Sequence, residues 1–287
     1  SDEFFMEVAD VPYPPYHNFL NRFPETNPFQ RNPDDYDLIW PLLPTHWVII
    51  EKDKYAHKIA TVFYQPSEGR TDGIAVLGAC TPLAESGLPA NSFHSLRFGI
   101  DTDLFKPDPN VKMNDGILRI LSIGRISPVK NYRTLVEAVQ ILAGQKINFL
   151  VTIIGEPALK QDRQYEEGIK KKIKDLGLGE RFEFKGKVGH GYLTSYYQNS
   201  DLFVHLSKTG SLDKSLLEAM ACGITVLSCN ESSGAFLPEE YTFNEANSEE
   251  LAERIKFAVL CPKNLRDYVV RHHDLSGLIA KLANYMS

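Results

Sequence analysis

The chain has 287 residues, of which 43% are hydrophobic and 24% charged, and it carries a formal net charge of −6. This length favours two domains with cores of ordinary size, and the composition, with no apolar run approaching the roughly 18 residues of a membrane span, excludes a transmembrane segment and wholesale disorder. The negative balance argues against general nucleic-acid binding, which needs a basic surface to follow phosphates.

Residues 1 to about 35 contain VPYPPYHNFLNRFPETNPFQRNPDD, and its six prolines forbid a long helix before Asp34. His17 in this segment is either presented at a functional cleft or packed among Tyr13, Tyr16 and Phe19. Strands are predicted at Asp37–Leu43, His57–Tyr64, Asp72–Gly78 and Ser95–Phe98, with a short helix over Trp47–Lys54. Strand alternating with connection is the pattern of a parallel α/β sheet, although these connections are short for crossover helices. The first domain is therefore read as reduced, or as only partly present in this chain. The polar stretch Phe105–Gly116, with Pro107 and Pro109, reads as a linker. It sets domains at 1–108 and 109–270, followed by a carboxy-terminal helix within 271–287.

From Ile117 the alternation is clearer. Strands are predicted at Ile117–Ile123, Phe149–Ile154, Arg181–Phe184, Asp201–Leu206 and Ile224–Leu227. Between and after them fall helices at Tyr132–Leu142, Arg163–Leu176, Leu193–Gln198, Glu249–Leu260, Leu265–His272 and Leu275–Tyr285. Lys170, Lys171, Lys172 and Lys174 share the second of these with Glu166 and Glu167, which reads as a solvated face.

Within this pattern SKTGSLDKSLLEAMACG, from Ser207 to Gly223, forms a loop and helix between two buried strands. The loop of such a βαβ unit lies at the carboxyl end of a strand and the amino end of a helix, where free N–H groups and the helix dipole attract anions. Glu218, one turn further in, suits a pair of vicinal hydroxyls such as a ribose diol; the alternative is an ordinary helix acid facing solvent. The unusual loops all follow predicted strands: Gly124-Arg125-Ile126-Ser127-Pro128-Val129-Lys130-Asn131, Gly155-Glu156-Pro157, Lys185-Gly186-Lys187-Val188-Gly189 and Lys208-Thr209-Gly210-Ser211. That is the edge where open α/β sheets bind ligands. Arg125 and Lys130 put two positive charges on one loop, with Asn131 able to cap the next helix. With the amide-rich loop Gly210–Lys214 they describe a diphosphate site, against the alternative that Arg125 makes a surface ion pair.

Gly124-Arg125, then Ser127 to Asn131, then Gly186-Lys187-Val188, then LLEAMACG together resemble the nucleotide-sugar-binding domain of retaining glycosyltransferases of family 4. The resemblance covers residues 95 to 285, and PYPPYHNFL with DYDLIW resembles the acceptor-side domain of some members. It implies an α/β fold of the GT-B type, two Rossmann-like parallel-sheet domains facing a cleft with the amino-terminal one reduced. It implies that Arg125 and Lys130 bind the donor diphosphate and stabilise the charge developing on it. Glu218 would hold the ribose hydroxyls, backbone groups near Lys187 and Val188 would meet the base, and the amides of Leu212 to Lys214 would face the distal phosphate. Gly124, Gly210, Ser211 and Ser215 complete the expected donor-binding set, and Leu275–Tyr285 would cross back towards the first domain.

Two positions depart from that family. The acid expected eight positions before Glu218 is Gly210, and the nearest substitute for contacting the transferred sugar is Asp213. The cleft histidine of many members corresponds to HKIATVFYQP, which offers Tyr64 and Gln65, with His17 and His46 as alternatives on the acceptor side.

The function expected is retaining, metal-independent transfer of a hexosyl group from a UDP- or GDP-sugar to a hydroxyl of a glycan, lipid or small molecule, without a cofactor. The alternative is a non-catalytic nucleotide-sugar-binding subunit of a glycosyltransferase complex. Cys80, Cys222, Cys229 and Cys261 lack C-x-x-C spacing, which argues against zinc and disulfides and suits the cytoplasm. The amino terminus SDEFFMEVAD is acidic where a signal peptide is basic. A lipid acceptor would place the protein at the inner face of the membrane, peripherally.

Overall fold

The computed structural model describes residues 60–64, 73–78, 93–97, 99–111, 115–207 and 213–286. His17, Asp37–Leu43, His46, Trp47–Lys54, Gln65, Gly210, Ser211 and Leu212 lie outside these residues. The chain divides into two compact units, one comprising 1–65, 73–96 and 281–287, the other 66–72 and 97–280.

In the first unit β1 (Ala60–Tyr64) and β2 (Gly73–Gly78) pair antiparallel, Ala60 opposite Gly78 and Tyr64 opposite Ile74. β3 (Phe93–Arg97) completes a sheet in the order β1-β2-β3. The expectation of a parallel first sheet is corrected for β1 and β2. A parallel crossover needs about a dozen residues or more, and residues 65–72 are too few, so these strands pair as neighbours of opposite direction.

The second unit is built on five parallel strands: β4 (Leu118–Ile123), β5 (Phe149–Ile154), β6 (Phe182–Phe184), β7 (Leu202–His205) and β8 (Thr225–Ser228). Their order is β6-β5-β4-β7-β8. Phe149–Ile154 and Leu202–His205 are almost unbroken apolar runs because both faces are covered. Alternate side chains sort into two cores, as the period of two requires. Ile120, Val151, Val204 and Leu227 face one way, and Leu121, Ile154, Phe203 and Val226 the other.

The first core is closed by α1 (Tyr132–Gly144), α2 (Lys160–Asp175) and α5 (Ser248–Leu260). Leu135, Val136, Val139 and Leu142 recur at helical spacing on α1 and are fully buried. The lysine cluster on α2 is indeed its charged outer side: Lys170 pairs with Glu166 at 2.7 Å and Lys172 with Glu137 of α1 at 2.6 Å. The second core is closed by α3 (Leu193–Gln198), α4 (Lys214–Ala221) and α6 (Arg266–His273), with α7 (Leu275–Met286) following. Cys222 follows α4 and is buried, and burial pushes its thiol up to about 12. Gly223 then turns the chain at φ 79°, giving its N–H to the Met220 carbonyl at 2.9 Å.

The stretch before β4 is held to this second unit. Ile100 N donates to His273 O at 2.6 Å and Leu275 N to Ile100 O at 2.9 Å. The Arg266 guanidinium donates to the carbonyls of Phe105 at 2.8 Å, Thr102 at 3.0 Å and Ala221 at 2.5 Å.

Candidate functional site

In the second unit the strand order reverses beside β4: β5 lies on one side of it and β7 on the other. The loops leaving β4 and β7 therefore part at this point, which is where open α/β sheets form a crevice for ligands. From β4 the chain runs through Gly124 and Arg125 into a short turn, Pro128–Lys130. From β7 it runs to Asp213 and into α4.

Gly155 brings two of these loop starts together. Its φ is +146°, and a Cβ there would stand 2.0 Å from the Gly124 carbonyl oxygen. Gly124 N donates to Ile154 O at 2.9 Å, Gly155 N to Gly186 O at 2.9 Å, and Tyr132 OH to Gly124 O at 2.8 Å. Asn131 differs from its expected role. Its side chain makes no cap hydrogen bond, and it sits at φ 39°, ψ 43° in the left-handed region. The turn from Pro128–Lys130 into α1 requires that conformation, which asparagine tolerates better than most residues.

Lys130 and Asp213 meet across the reversal point in an ion pair between Lys130 Nζ and Asp213 Oδ2. The same oxygen faces His205 Nε2 at 2.7 Å, and His205 Nδ1 faces Ser228 Oγ at 3.1 Å. His205 is 2% exposed. Burial raises the Asp213 pKa, but His205 and Lys130 together outweigh it and hold this carboxyl at about 2. Asp213 stands at the amino end of α4 without capping it by its side chain. Arg125, by contrast, is exposed and forms no ion pair among the described residues. The surface-pair alternative thus finds no partner there.

Glu218, on the first turns of α4, is 4% exposed. Tyr197 OH donates to its Oε2 at 2.9 Å, and His190 Nε2 lies 2.8 Å from its Oε1. Tyr197 is fully buried, and burial followed by the Glu218 charge drives its hydroxyl well above the ordinary tyrosine range. Phe105 sits edge-on to both rings, 5.1 Å from His190 and 5.9 Å from Tyr197. The predicted helix-acid alternative for Glu218 does not hold in its simplest form, since the carboxylate faces inward.

The remaining residues expected to meet the donor are dispersed along the same edge. Lys187 is exposed, and its N–H donates to Glu156 Oε1 at 3.2 Å. Val188 is half-buried against the second core, Lys214 is exposed and Ser215 half-buried. Tyr64 ends β1. Sequence reading missed His205, His190 and Tyr197. A histidine closing the apolar run LFVH and another between Gly189 and Gly191 were the available signals; Tyr197 gave none beyond helical periodicity.

Residues 107–272 match the family model described as glycosyl transferases group 1. The chain belongs to the group 1 glycosyl transferases. This group 1 glycosyl transferase is 32% identical over 166 residues to the amylovoran biosynthesis glycosyltransferase AmsK of Erwinia amylovora, covering 55% of this chain and 38% of that one. It is 26% identical to a GDP-mannose-dependent α-(1-6)-phosphatidylinositol monomannoside mannosyltransferase of Mycobacterium tuberculosis, over 69% of this chain and 56% of that one. The chain thus spans about half the length, or less, of these curated relatives. Its fold is shared with Anabaena HepE, solved in complex with UDP and glucose, at TM-score 0.59 and 19% identity over 70% of this chain and 58% of that one. It is shared also with sucrose-phosphate synthase of Thermosynechococcus elongatus, at TM-score 0.56 and 24% identity over 66% and 50% of the two chains. The group 1 glycosyl transferase described here accordingly has the GT-B fold. No helix among its described residues is long and apolar enough to cross a membrane.

Proposed function

We propose that this group 1 glycosyl transferase, of the family 4 type, moves a hexosyl group from a UDP- or GDP-sugar to an acceptor hydroxyl with retention of configuration. The observation that carries the reading is the meeting of Lys130 and Asp213 where the strand order reverses, with Arg125 exposed on the same loop. A diphosphate there would lie against the amino end of α4 and two cationic side chains.

The chemistry asked of the protein is positioning and charge. Arg125 and Lys130 stabilise the negative charge that builds on the diphosphate as the glycosidic bond breaks, so that no metal ion is required for that task. The departing diphosphate accepts the acceptor's proton on the same face, and the bond from the sugar to oxygen re-forms there with retention. Asp213 holds Lys130 in place, and we assign phosphate binding to Gly124, Gly210, Ser211, Leu212, Lys214 and Ser215. Lys187 and Val188 flank the base, and Glu218 belongs to the ribose region. We assign acceptor recognition to His17 and Tyr64, and the acceptor is a lipid, a glycan or a small molecule. We place the protein in the cytoplasm.

The test is calorimetric titration of the chain with UDP- and GDP-sugars, beside Arg125→Ala and Glu218→Ala. Micromolar binding of one donor, lost in both variants, supports the reading, and release of free nucleoside diphosphate with an acceptor present separates an enzyme from a binding subunit. Absence of binding to every donor sinks it.

A further inference from the structure

His205 is buried at the end of β7, directly behind the carboxylate that holds Lys130. Its Nε2 lies 2.7 Å from Asp213 Oδ2 and its Nδ1 3.1 Å from Ser228 Oγ on β8. A polar ring is costly at the end of a strand buried on both faces unless each nitrogen has a partner, and here each has one. We infer that His205 takes up a proton when the donor binds and gives it up when the nucleotide leaves, so that the imidazolium replaces Lys130 as the counter-charge of Asp213. His205 is thus a positioning residue for the diphosphate-binding cation, and its role rests on the nucleotide-sugar reading above.

Three features carry this. The first is charge. Without donor, Asp213 is balanced by Lys130, and both side chains are partly open, at 26% and 20% exposure. A diphosphate that draws Lys130 towards itself adds negative charge beside a carboxylate whose cation it shares. Both anions then favour a positive charge on the ring in contact with Asp213. The second is that the surroundings satisfy His205 in either state. The carboxylate accepts the Nε2 proton in both. Ser228 Oγ accepts from the Asn230 N–H at 3.1 Å, which leaves it one lone pair and its own proton. The hydroxyl therefore donates to the bare Nδ1 of the neutral ring and accepts from the Nδ1–H of the charged one, with no heavy atom displaced. The third is the choice of residue type. The groups facing Asp213 are Lys130, His205 and, on α1, Tyr132. Histidine is the type whose charge ordinarily changes near neutral pH, whereas burial pushes the Tyr132 hydroxyl above the ordinary tyrosine range.

The experiment is calorimetric titration of the full chain with UDP-glucose and with GDP-mannose near neutral pH, in phosphate and in Tris, buffers of different ionisation enthalpy. Both probes are diphosphate diesters, so they exchange no proton of their own in this range, as free UDP and GDP would. The heats should differ between buffers in the sense of proton uptake. The Kd should rise with pH, by a factor approaching about ten per pH unit for one proton taken up, because raising the pH opposes a binding step that consumes a proton. His205→Gln keeps an N–H for Asp213 but takes up no proton, so its heats should agree in the two buffers and its Kd should be level with pH. His190→Gln, on the neighbouring loop, should retain the uptake. Nitrogen NMR of the unaltered chain should show one histidine ring passing from singly to doubly protonated as donor is added, which decides the matter even where His205→Gln does not fold. Equal heats in the two buffers, proton release, no such change at a histidine ring, or uptake that persists in His205→Gln overturns the inference and leaves the donor site standing. If neither probe binds, the inference and the donor-site reading fall together.

Discussion

His205, at the end of β7, and Asp213, at the start of α4, lie 2.7 Å apart, and the Asp213 oxygen they share also takes Lys130. One carboxylate thereby fixes the strand end, the helix start and the cation of a neighbouring loop. Its ionisation is part of the folded state. The Asp213 pKa drops from 3.8 to about 2 on folding, so its stabilisation is fully present above about pH 4 and is lost as pH falls towards 2. A shift of that size corresponds to about 2 kcal/mol. Asp213→Asn should lower stability by roughly that amount at pH 7, and chemical denaturation from pH 2 to 7 should show the variant with a shallower acid limb.

Arg125 and Lys130 should separate function from stability. Arg125 is exposed and unpaired among the described residues, so Arg125→Ala should leave the melting temperature unchanged while lowering kcat/KM by about two to three orders of magnitude. Lys130→Ala should lower kcat/KM similarly and also lower stability by about 1 kcal/mol, since Asp213 loses one partner. Thermal melts alongside initial-rate assays check both. Equal losses of stability in the two variants would contradict the assignment.

Gly155 and Gly144 make a paired test of the loop edge. A Cβ at Gly155 would stand 2.0 Å from Gly124 O, backbone that cannot move without displacing Arg125. Gly155→Ala should therefore cost more than about 3 kcal/mol and abolish donor binding. Gly144, at the end of α1, has nothing within 4 Å of the point where a methyl group would stand, and Gly144→Ala should be neutral or gain up to about 1 kcal/mol. Urea denaturation measures the two.

Asn131 occupies φ 39° between Lys130 and α1. Asn131→Gly should preserve or slightly raise stability, and Asn131→Ala should cost about 1 kcal/mol, because a bare methyl group meets the left-handed penalty without a polar side chain. Donor affinity should follow the same order, since this residue sets the exit angle of the Lys130 turn.

Periodicity made most of the second unit legible. Phe149–Ile154 and Leu193–Gln198 coincide with their predicted spans, and the loops at Gly124, Gly155 and Gly186 do share one edge. Local pattern could not supply strand order or direction, which is why β1 and β2 read as parallel from the sequence. Nor could it supply partners distant along the chain. Lys130 and Asp213 are 83 residues apart, and His190 and Glu218 are 28 apart. An acid in a helix reads identically whether it faces water or two buried partners; only the packing of Tyr197 and Phe105 decides. His205 was hidden for the same reason, as a polar residue at the end of an apolar strand whose partners come from elsewhere.

The buried thiol of Cys222 has a practical consequence. It directly follows the helix that carries Glu218, and at a pKa of about 12 it is almost wholly protonated at neutral pH. Maleimide or disulfide reagents should therefore reach it only when the end of α4 opens, while the exposed Cys261 reacts at once. The rate at which the Cys222 thiol is consumed, followed by peptide mapping apart from the likewise buried Cys229, becomes a clock for the opening of α4, with and without nucleotide, built into the native chain and needing no introduced probe.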